Sequence, residues 1–214
     1  MPLPRPLALA AALLLAGPIP GIAQTASLPA APAAATSYQI ISRLSQASYA
    51  VDEVFLRENN RLFTAVGVTP GVAGEIIFNR ERPAESVIAE IVVDVQQFTS
   101  DSDRRDRAIR RGYLESDRYP HARLTNARLE GLPTTISDGT PFRYSLVGDL
   151  TVHGVTRPTS WEGEATAVGD TLRGVARAQV KMSDFGIEVP RLLALRAEDD
   201  VKLEIRYVAV RQER

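Results

Sequence analysis

Cysteine is missing from this chain of 214 residues, and histidine, methionine and tryptophan are nearly so, at two, two and one copies. Without a thiol there can be no disulfide, cysteine nucleophile, iron–sulfur cluster or cysteine zinc site. A zinc site usually takes three or four His, Cys or carboxylate ligands. The chain offers only His121 and His153, with no paired spacing, so no metal and no cofactor is expected. An excess of charge of either sign is also lacking. Lys and Arg number 25 against 26 Asp and Glu, a net charge of -1. That balance gives no electrostatic case for nucleic acid or an anionic membrane surface. Catalytic motifs are absent too: no nucleophile elbow, no zinc-protease helix, no disulfide-exchange pair. Asp184-Phe185-Gly186 spells a kinase tripeptide, but the glycine-rich loop, strand lysine and catalytic loop are missing, so it reads as a strand end with a turn. The glycines of "GVTPGVAG" (67–74) are followed by no lysine and no helix, so they fit a bend between strands.

What is present begins with "MPLPRPLALAAALLLAGPIPGIAQ". One positive charge at Arg5, an apolar run from Leu7 to Ala16 and a small-residue Gly21-Ile22-Ala23 pattern together predict a signal peptide over 1–23. The apolar run is too short to span a bilayer and ends at Pro18 and Pro20. The expected location is therefore the periplasm or the external medium, with no stable membrane insertion after cleavage. With no cysteine following, a lipidated anchor is excluded. Residues 24–44, alanine- and proline-rich at their start, read as a flexible spacer. Residues 45–210 have the length of one domain, large enough to hold a core without disulfides.

Within that domain the dominant pattern has period two, the mark of strands with one buried face. In "ESVIAEIVVDVQQF" one face carries Val87, Ala89, Ile91, Val93 and Val95. In "FRYSLVGDLTV" it carries Phe142, Tyr144, Leu146, Gly148, Leu150 and Val152, and in "DVKLEIRYVAV" Val201, Leu203, Ile205, Tyr207 and Ala209. Further strands are expected at 47–55, 73–79, 122–129, 159–167 and 171–182. One helix interrupts them at 100–117, capped by Ser100 or Ser102, with Asp101, Asp103 and Asp106 at its positive end and Gly112 as its stop. Its apolar stripe is thin, so it should act as a lid against a larger body. Its five arginines, 104, 105, 107, 110 and 111, alternate with aspartates and predict a solvated face with i,i+4 pairs. A second helical or looped stretch is expected at 190–197. Seven or eight short antiparallel strands must close or form a sandwich, and about eight can enclose one ligand.

His153 lies in "GDLTVHGVTRP", between two alternating runs and before Gly154, so it reads as a turn or rim residue. His121, after Pro120, reads the same way. A Ser-His-Asp set built on His153 stays open, because its members need not be adjacent in sequence.

Four stretches in order resemble one family. "GDLTVHGVTRP" is similar to its signature hairpin and "SDRRDRAIRRGYLESDRYPHA" to its helix. "MSDFGI" and "EDDVKLEI" are similar to its last two strands. The family is the YceI-like exported proteins, and the resemblance spans residues 45–207. It implies an all-β, extended, lipocalin-like antiparallel barrel of about eight strands with one short helix. It also implies a polyisoprenoid or other long lipid as ligand, bound without chemistry. One departure stands out: the family's opening strands commonly carry histidines, and "SYAVDEVFLRENNRLFTAVGV" has none. Headgroup contacts made by those histidines do not carry over.

The expected partner is a lipid-like small molecule. Ligand-facing candidates, chosen by parity and size, are Val93, Val95, Phe142, Tyr144, Leu146, Trp161, Leu203 and Ile205. Two other readings stay open, an interaction protein whose barrel is filled by its own side chains and an esterase-type hydrolase using His153. A homodimer stays open as well.

Overall fold

The computed structural model describes residues 35–55, 61–192 and 195–212. Strands β1 Thr36–Ile40, β2 Gln46–Phe55, β3 Arg61–Thr69, β4 Val72–Phe78, β5 Val87–Asp94 and β6 His121–Glu130 come first. They are followed by β7 Pro141–Val152, β8 Val155–Val168, β9 Thr171–Lys181, β10 Arg191–Leu192 and β11 Leu195–Arg211. One helix, α1 Asp103–Ala108, runs on into a π turn at Ile109–Tyr113.

The strands form an eight-strand-wide antiparallel barrel. Neighbours run β1-β4-β5-β6-β7-β8-β9-β11, and a β1–β11 pairing closes the ring. β1 and β2 act as one long strand broken by a 3-10 turn at Ser42–Leu44, β1 lying along the end of β11 and β2 along its first two thirds. β3 and β4 are a second such pair, β3 on β2 and β4 on β1. Closure by strands is complete only at the β1–β4 end. At the other end, among the described residues, β3 has no strand on its far side beyond a single Val68–Thr99 bridge. α1 and its approach cover that seam: the Phe98 ring meets Tyr49 edge-on at 5.1 Å, and the Arg105 guanidinium lies 5.6 Å over Phe63.

Alternation decides which residues face in, and β-bulges correct it. Along β7 it holds throughout, with Phe142, Tyr144, Leu146, Gly148 and Leu150 all buried. Along β5 it does not. Val87 and Ala89, expected inside, are exposed, because Glu75 pairs with Glu90 but Ile76 pairs with Ile88, leaving Ala89 as an extra residue. One inserted residue flips every side chain before it to the other face, so Ile88 takes the inward place. β6 bulges likewise between Thr125 and Arg128, around Asn126 at φ 52, and its inward set becomes Leu124, Ala127 and Leu129.

Three further expectations are corrected. The spacer assigned to 24–44 overlaps the barrel, since 36–40 form β1, whose Tyr38 and Ile40 are core. The stretch 190–197 carries strand, not helix, with Arg191 paired to Arg196 at the β10–β11 hairpin. The helix expected at 100–117 is shorter and does not stop at Gly112; it ends at Tyr113, and Glu115 takes the left-handed conformation at φ 44. Ser102 does cap it, accepting from Arg105 N at 3.4 Å. The segment read as a signal peptide lies outside the described residues.

Candidate functional site

The barrel interior divides into two unequal halves. Near the β1–β4 end aromatic rings fill it: Tyr38 meets Phe78 edge-on at 5.9 Å, Phe78 stacks on Phe142 at 6.0 Å, and Phe142 leans on Tyr144 at 6.4 Å. The hydroxyls of Tyr144 and Tyr207, from strands separated by β8 and β9, meet at 3.2 Å, and burial pushes both phenols above their ordinary range. Only a void of about 50 Å³ remains there. Toward α1 the interior opens into a cavity of about 510 Å³, within the span of small-molecule sites. Trp161, Ile91, Leu124 and Ile205 line both spaces, so the indole stands between them.

Of the eight residues chosen from the sequence, five line the larger cavity: Val93, Val95, Trp161, Leu203 and Ile205. Phe142, Tyr144 and Leu146 are elsewhere, around the small void with the packed aromatics. All eight point inward; parity cannot tell which half of a barrel is filled.

The cavity mouth carries what the sequence reading did not pick out. β2 presents Ala47, Tyr49, Val51, Glu53 and Phe55 to the cavity, so a carboxylate occupies an otherwise apolar face. Glu53 is 8% exposed. Its Oε2 sits 3.7 Å from Arg105 Nη2 and takes part in no hydrogen bond among the described residues. Burial holds its carboxyl above the usual range, with Arg105 opposing and Asp101 adding to the rise. The Tyr49 hydroxyl is pushed up by burial and by Asp106. Arg105 reaches in from α1 while also pairing with Asp101 one turn earlier. Ala108 and Ile109 complete the helix's cavity face, which is the lid role its thin stripe implied. Continuing the alternation through 47–55 would have exposed Glu53 as out of place.

His153 is the first residue of a two-residue turn joining β7 to β8, at φ 52 with Gly154 at φ 74. Both positive angles are those of a type I′ hairpin. The ring is held on two sides, Nδ1 by the Phe185 carbonyl at 3.3 Å and the ring edge-on to Tyr119 at 4.9 Å, while Nε2 lies 3.2 Å from Glu115 Oε1 without hydrogen-bond geometry. Among the described residues no serine hydroxyl hydrogen-bonds to it, so the structure does not assemble the triad that the hydrolase reading needs. The kinase-like tripeptide is a turn, Ser183–Phe185 closed by left-handed Gly186, with Phe185 buried at the cavity wall. No group of three or more potential metal ligands clusters among the described residues.

A closed antiparallel barrel around an apolar cavity, with a helix over its seam, is the lipocalin-like class of β-barrel. Within that class the chain belongs to the YceI-like domain family, whose model matches residues 38–209. A UPF0312 protein of Vibrio campbellii is 29% identical over 124 residues, 55% of this chain and 61% of the relative. The aligned region thus spans about three fifths of the curated relative's length. Two solved structures share the fold. BcnA of Burkholderia cenocepacia has TM-score 0.61 at 16% identity, covering 80% of this chain and 99% of BcnA. A polyisoprenoid binding domain from Saccharophagus degradans has TM-score 0.59 at 15% identity, covering 83% and 99%.

Proposed function

We propose that this protein is an exported carrier or sequestering protein that binds one long apolar molecule, of the polyisoprenoid class or a similar lipid. The apolar chain would lie in the larger cavity with its end toward Trp161 and its head beneath α1. The observation that carries this reading is the half-filled barrel. A cavity of about 510 Å³ persists beside a tightly packed aromatic half, and open apolar volume in a core is destabilising unless something occupies it. Affinity would come from area removed from water, about 25 cal/mol per Å² before the costs of binding. The Saccharophagus degradans relative, a polyisoprenoid binding domain, supports the ligand class. The apolar run and small-residue pattern of residues 1–23 support export.

The test is to block the cavity and leave the packed half alone. Leu203 is half-buried and lines only the larger space. Leu203→Trp should abolish binding of a fluorescent long-chain probe while the variant stays folded. Leu146→Trp, in the packed half, should instead cost about 1–3 kcal/mol of stability and leave the larger cavity able to bind. Equal probe binding by wild type and folded Leu203→Trp would refute the cavity as the site.

A further inference from the structure

We propose that Glu53 makes the cavity selective for amphiphiles whose head donates a hydrogen bond, namely an alcohol, primary amide or ammonium on a long apolar chain, over those ending in a carboxylate or phosphate. This rests on the reading that the larger cavity holds an amphiphile. Glu53 lies on the inward parity of β2 among Ala47, Tyr49, Val51 and Phe55, and it is more than nine-tenths buried. A carboxylate on such a face must find donors or remain unfulfilled. Among the described residues it finds none: Oε2 has no hydrogen-bond partner, and Arg105 Nη2 stands 3.7 Å away, beyond hydrogen-bond reach.

Arg105 cannot serve an anionic head in its place. Its guanidinium already pairs with Asp101 and lies over Phe63, and its backbone N–H donates to Ser102. Asp106, buried next to it in the helix sequence, accepts from Ser100 N at 2.9 Å and Ser100 Oγ at 2.6 Å and adds further negative charge. The mouth therefore holds two buried carboxylates, Glu53 and Asp106, against the half-buried Arg105, whose partner Asp101 lies in solvent, and a second anion at the depth of Glu53 would be repelled. Arg104, Arg123 and Lys181 also line the cavity, but all three are exposed, the last two already facing Glu90 and Asp200, and an exposed ion pair contributes little. A head that donates to Glu53 supplies the missing partner and brings no charge that Glu53 repels. An ammonium head does both and adds attraction.

Oleyl alcohol, oleamide, oleylamine and oleate differ only at the head and compete for one neutral fluorescent chain probe at neutral pH. The wild type should bind the first three about tenfold or more tightly than oleate, the scale of one hydrogen bond to a charged group. Glu53→Gln keeps an acceptor and should hold the alcohol and amide, weaken the amine and strengthen oleate. Glu53→Leu should lower all three donors toward oleate. Oleate matching or exceeding the donors in wild type would overturn the proposal, as would a ranking that neither variant moves. If oleate leads and Arg104→Ala abolishes its lead, the head is held by Arg104. Displacement of the probe by none of the four would overturn the amphiphile reading itself, and the selectivity with it.

Discussion

Glu53 and Trp161 illustrate how far single positions can be read. Trp161 was legible as an inward residue because its neighbours alternate cleanly and a lone large aromatic belongs inside. Glu53 was not, because a charged residue in an alternating strand is assigned to the water face by habit; only its register, opposite Phe63 and Ala197, turns it inward. Its burial has a consequence for stability. Arg105 and Asp101 from the helix side, and Tyr49 on its own strand, are the groups electrostatically coupled to it. Its carboxyl in the folded state titrates above the unfolded value, so its charged form costs stability once pH rises through the folded value, and the cost is absent below the ordinary carboxylate range near about 4.3. The stability of Glu53→Gln relative to wild type should therefore increase with pH across that range, measured by urea unfolding at a series of pH values. A relative stability that falls as pH rises would show the carboxylate to be stabilised by Arg105 instead.

At the scale of elements, strands are joined by a repeated pairing of tyrosine with glycine. Tyr49 faces Gly67, Tyr144 faces Gly163 and Tyr207 faces Gly174 in direct register on neighbouring strands. In each pair a β-carbon on the glycine would overlap the tyrosine ring or its hydroxyl. The glycines thus leave inward room for three rings to lie across the sheet, two of which close the packed half. Gly163→Ala should cost about 1–3 kcal/mol, a fall in Tm of about 2–4 °C per kcal/mol for a chain of this size. Gly112→Ala, on the π turn with nothing within 4 Å of its added carbon, should be neutral or slightly stabilising. Equal losses at both sites would contradict the steric account. The strands themselves were legible from alternation, but the β5 and β6 bulges were not. An inserted residue leaves no mark in composition and shows itself only when a partner strand fixes the register.

For the whole molecule, barrel closure and family followed from ordered motifs over residues 45–207, and the family match over 38–209 agrees. Period-two patterns give the wall and its inward face. They do not give how far along the barrel the side chains meet in the middle, which depends on ring sizes and register across eight strands at once. That is why Phe142, Tyr144 and Leu146 were grouped with Val93 and Leu203 although they sit in different halves. The division into a packed half and an open half is the feature on which the functional account depends. Its most direct test is native mass spectrometry of the protein purified without detergent, before and after organic extraction. The account predicts one stoichiometric adduct that disappears on extraction and returns when a long isoprenoid alcohol is added. A bare chain mass in every sample, unchanged after incubation with long isoprenoids and fatty amides, would contradict it.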